Sequence, residues 1–274
     1  RTIWKEKELV LKDIKVITDF IETVEEKDQM LRVEKTFVGI LKAQDALDNI
    51  RKVHIDPDIF MLTAEPGYGK TTVLDEYKSR YGSQVIKIDA VAPSAYAVLR
   101  ELCEELDIST SGSVHDMVRR CVKELKKNKK LIMVDEAEFL SSQALNALRR
   151  IHDLADVGLV LAGTKHLVIT VAAEAQLSRI VKRIQLDALT PEEKYESFEM
   201  VLASLLSGVT GVNYMEKPRV VKAFWERSGG EGYRYLFKLV KSVVGSMELC
   251  EKGITPTLIR ECASTLVHKG GLVK

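Results

Sequence analysis

Two short stretches carry residue types that do chemistry at fixed spacing. Ala64-Glu65-Pro66-Gly67-Tyr68-Gly69-Lys70-Thr71, with Thr72 after it, joins glycines, a lysine and hydroxyls between a predicted strand and a predicted helix. That is the context of a phosphate-binding loop. Gly67 and Gly69 let the backbone turn its N–H groups toward a phosphate, and the helix N-terminus favours the same anion. Lys70 is expected to reach the β- and γ-phosphates of a nucleotide, and the Thr71 hydroxyl to coordinate magnesium. Where the usual pattern opens with glycine, this chain has Ala64, which is tolerable if its φ stays negative.

The second stretch is Leu131-Ile132-Met133-Val134-Asp135-Glu136. An apolar strand delivers two carboxylates to its C-terminal end, where open α/β sheets bind ligands. Asp135 is expected to orient the magnesium, through water, and Glu136 to polarise an attacking water as general base. Together these residues predict ATP with Mg²⁺ as the cofactors and ATP hydrolysis as the reaction. A phosphate-transferring kinase would also need an arginine-rich lid and an acceptor site, and neither is legible.

The elements that must position these groups follow from hydrophobic patterning. Short apolar runs at Ile59–Leu62, Val85–Ile88, Leu131–Val134, Val157–Ala162 and Ile184–Leu186 read as strands, the first covered on both faces. Helices are predicted over about 43–53, from the loop to about Tyr81, from Pro93 to Leu106, over the basic stretch after Gly112, and from Ser141 to about Leu154. Such alternation implies a parallel sheet flanked by helices. At Thr190-Pro191-Glu192-Glu193 a helix start appears, and Thr255-Pro256 repeats it. Helices over 191–207, 217–227, 233–249 and 256–267, without a strand, predict a small helical domain. The expected organisation is an N-terminal helical arm (1–32), a nucleotide-binding core (33–189) and a helical lid (190–274).

Val160-Leu161-Ala162-Gly163-Thr164 ends a strand expected beside Asp135, so Thr164 is a candidate to hydrogen-bond the γ-phosphate or the attacking water. Ser178-Arg179-Ile180-Val181-Lys182-Arg183 precedes the last strand, where an arginine can project toward a neighbouring subunit's nucleotide. Such a finger supplied in trans is worth about 10³–10⁵ in rate. Arg234 opens a helix of the predicted lid and could report the nucleotide to it.

The chain has 274 residues, 46% of them hydrophobic and 30% charged, with a formal net charge of +1. That size suits a core plus one smaller domain, and no apolar run approaches the ~20 residues of a membrane span. The sequence opens at Arg1 without a methionine or signal-peptide pattern, so a trimmed start is expected, while a cytoplasmic protein is expected from its thiols. Cys103, Cys121, Cys250 and Cys262 lack metal-ligand spacing and read as buried, reduced thiols. Arg119, Arg120, Lys123, Lys126, Lys127, Lys129 and Lys130 crowd one stretch, a pattern that is usually a solvated helix face.

With these residues in place, the chain resembles the AAA+ target-selection ATPases of DNA transposition, the phage Mu B protein and the TnsC group, from about Val33 to Leu266. The likeness includes Val33-Glu34-Lys35-Thr36, Glu65 to Thr71, Val134-Asp135-Glu136-Ala137-Glu138, Gly158 to Gly163 and Ser178 to Arg183. The resemblance implies an AAA+ P-loop core with a helical lid, and ATP-bound subunits that form a ring or filament on duplex DNA. The assembly recruits a transposase, and hydrolysis takes it apart. It assigns Thr164 to the sensor-one place, Arg179 to the arginine finger with Arg183 second, and Arg234 to sensor two. It also points to Ser109, Thr110, Ser111 and Ser113, with Arg119 and Arg120, as contacts to DNA that ignore base sequence. Two departures stand out: a helix-turn-helix like that of Mu B and a long C-terminal tail are both missing from this sequence. The alternatives are another AAA+ DNA machine (origin-recognition-like or a helicase loader), a nucleotide-gated assembly protein with incidental hydrolysis, and a secretion-associated ATPase.

Overall fold

The computed structural model describes residues 33, 37–90, 92–173, 182–207, 214–229, 231–250 and 253–266, the side chains of 247–250 excepted. The predicted arm helix and Arg179 lie outside them. The chain packs as two units: Phe37–Ser197 together with Glu231–Arg234, and the rest of the described residues. No described helix is long and apolar enough to cross a membrane.

The larger unit is built on five parallel strands, β1 (Ile59–Thr63), β2 (Val85–Asp89), β3 (Leu131–Asp135), β4 (Leu159–Gly163) and β5 (Lys182–Gln185). Their order across the sheet is β2-β3-β4-β1-β5. The inner strands β1, β3 and β4 are buried at every position, as expected where helices cover both faces. Six helices accompany the strands: α1 (Leu41–Ile55), α2 (Lys70–Tyr81), α3 (Ala95–Glu105), α4 (Val114–Lys127), α5 (Ser142–Ala155) and α6 (Lys165–Ala173). Their apolar faces, with Leu99, Leu102, Met117, Leu125, Leu148 and Ile151, close over the sheet.

Several boundaries differ from the sequence reading for physical reasons. Helix α3 starts after Ser94, whose Oγ accepts from the Ala97 N–H at 3.2 Å, and Pro93 instead gives its carbonyl to the Ser141 N–H. Helix α4 begins with a reciprocal cap between Ser113 and Asp116. Strand β5 takes in Lys182 and Arg183, two residues that sequence alone places ahead of it. As an edge strand paired with β1 alone it is largely exposed, so its first half carries charge and escapes a hydropathy search. Helix α6 has no counterpart in the sequence reading, because its Leu-Val-Ile-Thr-Val run looks as much like a strand as a helix.

Strand β4 begins at Leu159, two residues after Val157, and Gly158 just ahead of it is closely packed against α1 and β3. A Cβ there would lie 2.4 Å from the Val53 carbonyl oxygen and 2.7 Å from Leu131 Cδ1. Gly158→Ala is therefore expected to destabilise the core by about 1–3 kcal/mol, the usual cost of overpacking. Urea unfolding would show this as a lower midpoint at unchanged slope; an unshifted midpoint would mean that α1 yields freely.

The other unit is helical. It contains most of α7 (Pro191–Leu206), α8 (Pro218–Ser228), most of α9 (Tyr233–Cys250) and α10 (Pro256–Thr265). Phe198, Leu202, Phe224, Leu239, Val243 and Ile259 form its core, and the rings of Phe198 and Trp225 meet edge-on. Pro218 and Pro256 each open a helix at a position where the missing N–H costs nothing. Cys103, Cys121 and Cys262 are free and buried; burial pushes the Cys103 and Cys121 thiols above their usual pKa.

Candidate functional site

Three strand ends converge at the carboxyl edge of the sheet. The loop Ala64–Gly69 follows β1, Asp135 ends β3, and Gly163 ends β4 between them. The loop is anchored at its start, where the Ala64 N–H donates to the Gly163 carbonyl at 3.2 Å. Ala64 is not among the described non-glycine residues with positive φ, so alanine fits there without strain. Gly67 (φ 94°) and Gly69 (φ 89°) do take the left-handed region, the second as the N-cap of α2. A loop so shaped, at a helix N-terminus, can wrap an anionic group.

Lys70, on the first turn of α2, is half-buried. Its Nζ donates to the carbonyls of Ala64 at 2.8 Å and Glu65 at 3.4 Å, folding back over the loop. Burial holds its pKa below the ordinary lysine value, and the carboxylates of Glu138, Asp135 and Asp187 work against that shift. Thr71 is exposed beside it.

Asp135 is buried (3% exposed), and its Oδ1 accepts from the Glu136 N–H at 2.9 Å. Glu136 itself stands exposed in a left-handed conformation (φ 52°, ψ 32°). This is rare outside glycine and costs of order 1–3 kcal/mol, a kind of strain that clusters at functional sites. A bound Mg²⁺ would find hard oxygen donors in Thr71 and Asp135. Among the described residues no group of three or more His, Cys, Asp or Glu could hold a metal ion.

Two further carboxylates are given no role by the sequence reading. Glu138, in the 3-10 turn after β3, accepts from the Thr164 N–H through Oε1 at 3.2 Å. Asp187, just past β5, accepts from the Glu65 N–H through Oδ2 at 3.0 Å. Each leaves its second oxygen buried without a hydrogen-bond partner. Glu65 also meets Lys165 at 3.5 Å across an exposed ion pair.

Arg234 lies in the segment Glu231–Arg234, which belongs to the sheet unit. Its N–H donates to the Gly67 carbonyl at 3.2 Å, while its side chain is exposed. Gly232 abuts Gly67 so closely that a Cβ on it would lie 3.0 Å from the Gly67 carbonyl carbon. The rings of Tyr68 and Tyr233 meet edge-on, 5.7 Å between centroids. Arg183, on the edge strand, is exposed and lies 3.5 Å from the Gln185 side-chain oxygen.

Ser109, Thr110, Ser111 and Ser113 form the loop before α4, away from these strand ends in sequence but on the same unit. Ser109 and Ser111 share a hydrogen bond of 2.9 Å, and the Arg120 guanidinium donates to the Ser111 carbonyl. Arg120 thus braces the loop, whereas Arg119 is exposed.

Residues 54–169 match the family described as an AAA domain. The ATP-dependent target DNA activator B of Escherichia phage Mu is 28% identical over 131 residues, 46% of this chain and 41% of that protein. The Mu-like prophage FluMu DNA transposition protein B of Haemophilus influenzae is 32% identical over 99 residues, 35% of this chain and 34% of that protein. A stretch of 115 residues is also 33% identical to the signal recognition particle 54 kDa protein of Methanococcoides burtonii, covering 38% of this chain and 26% of that one. The matches therefore span about two fifths or less of these curated relatives. Among solved structures, the RuvB Holliday junction branch migration motor of Thermotoga maritima superposes with a TM-score of 0.54 at 16% identity, over 85% of this chain and 72% of that one. That likeness shows the fold alone, a parallel five-stranded sheet flanked by helices, the P-loop type of core that the AAA domain match over residues 54–169 also indicates.

Proposed function

We propose, from this AAA domain and its likeness to the transposition proteins of Mu and FluMu, that the chain is an ATPase that assembles on duplex DNA and presents it to a transposase. The observation that carries the reading is the meeting of the Gly67–Thr71 loop, Asp135–Glu136 and Thr164 at one edge of a single sheet. A general nucleotide-binding likeness would be satisfied by the loop alone. The two Mu-type relatives are what point to DNA transposition.

In this reading Glu65, Pro66, Gly67, Tyr68, Gly69, Lys70, Thr71 and Thr72 hold the triphosphate, with Lys70 leaving its carbonyl partners for the β- and γ-phosphates. Thr71 and Asp135 would hold a bound Mg²⁺, which would supply positive charge to offset that of the phosphates. Glu136 takes a proton from the attacking water. Thr164 orients the γ-phosphate end of the site from β4. Arg179, or Arg183 on β5, reaches the nucleotide of an adjoining subunit, and Arg234, whose N–H donates to the Gly67 carbonyl, senses the bound nucleotide. Ser109, Thr110, Ser111, Ser113 and Arg119 track DNA phosphates while Arg120 keeps their loop in shape, a mode of binding blind to base sequence.

Electron microscopy of the protein on plasmid-length duplex DNA tests this, with and without a non-hydrolysable ATP analogue. Nucleotide-dependent rings or filaments on DNA are expected, and affinity should fall steeply as salt rises. Bare DNA in both samples, with ATPase activity intact, would overturn the DNA-assembly reading and leave the ATPase. A salt slope near zero would remove the phosphate-tracking loop.

A further inference from the structure

We propose that Glu138 is a positioning residue for hydrolysis: it clamps the end of β4 to the turn that carries Glu136. The proposal rests on the ATPase reading above. Glu138 lies two residues past Glu136 in the 3-10 turn Ala137–Phe139, and that turn is tied to Glu136 by the Phe139 N–H donating to its carbonyl at 3.0 Å. Across the strand gap, Oε1 of Glu138 receives the N–H of Thr164. One carboxylate thus joins the two groups that must agree on where the γ-phosphate and the water stand.

Three observations set this contact apart from an ordinary surface acid. Oε2 is buried without a hydrogen-bond partner, an arrangement that costs stability and calls for an explanation. Gly163 makes the room for it, since a Cβ there would lie 2.4 Å from Oε2 and 3.0 Å from Leu167 Cβ. Finally, Glu138 is the carboxylate that acts most strongly on Lys70, ahead of Asp135 and Asp187. A helix cap alone would explain the Thr164 bond, at the start of α6, but it requires neither the buried second oxygen nor the nearness to Lys70.

The clamp works by reach, so two conservative variants separate it from charge. Glu138→Asp keeps the charge and draws the carboxylate back by one methylene; Glu138→Gln keeps the reach and an oxygen for Thr164. Steady-state ATP hydrolysis of the full chain should show kcat reduced about 10-fold in E138D with KM little changed, a loss typical of supporting-shell positions. E138Q should stay near wild type. Hydrogen exchange at the β4–α6 junction should quicken in E138D and not in E138Q. If E138D does not fold, Gly163→Ala displaces the same carboxylate and should lower kcat likewise. Wild-type kcat in E138D, or in Gly163→Ala when that variant is needed, overturns the proposal, as does a defect confined to KM. Absence of turnover in the wild-type chain would sink the ATPase reading instead, and the exchange rates would still decide whether the clamp exists.

Discussion

Replacing Glu136 by glutamine is expected to lower ATP turnover by at least about 10²-fold while leaving nucleotide binding in place, because general bases contribute about 10²–10⁴. Glutamine has nearly the same shape, and its backbone N–H can still donate to Asp135 Oδ1 as the Glu136 N–H does. What it lacks is a lone pair basic enough to take a proton from water. The left-handed backbone at this position strains both side chains similarly, so the fold should not suffer. Binding of a fluorescent nucleotide and single-turnover hydrolysis would separate the two effects. If hydrolysis also drives release, the variant should load onto DNA with ATP and then fail to leave. Turnover within about threefold of wild type would remove Glu136 from the chemistry, and assembly that never depended on hydrolysis would favour a nucleotide-gated scaffold.

A second large effect is expected at Gly67, where Gly67→Ala should weaken ATP binding about 10-fold or more, since the left-handed conformation costs a residue with Cβ roughly 1–2 kcal/mol. At φ 94° the added methyl is strained, and it would also sit 3.2 Å from Arg234 Cβ and 3.7 Å from Gly232 Cα. Either the loop abandons its curl or the Gly232–Arg234 segment moves away from it. Both outcomes loosen the carbonyl of Gly67 from the Arg234 N–H. Titration with labelled nucleotide and a thermal melt would check this together. Unchanged affinity would mean that the phosphates do not depend on the curl of this loop.

How far the sequence leads depends on the kind of contact involved. Strands β1, β3 and β4 are legible because complete burial writes an unbroken apolar run. The loop and Asp135–Glu136 are legible because the chemistry proposed for them needs particular residue types at a particular spacing. The edge strand reads short, since Lys182 and Arg183 are exposed on a strand with one neighbour. Glu138 and Asp187 receive no role for another reason: each looks like a surface acid until packing brings it to a backbone N–H far along the chain. Arg120 can be noticed as a charge, but only the fold shows that its guanidinium holds the Ser111 carbonyl. Composition and periodicity record burial well; they do not record which distant amide a carboxylate will meet.

The contact between Gly67 and Arg234 bears on how the protein is made. During synthesis every strand of the sheet, through Gln185, leaves the ribosome well before Arg234 does. The sheet can close early, because its strands and covering helices all lie within one stretch. The Gly67 carbonyl, however, must wait for a partner at the far end of the core's sequence, the slow, non-local kind of closure. A growing chain can therefore hold a finished scaffold and an unfinished Gly67 loop, so that the candidate site is completed only after the fold around it.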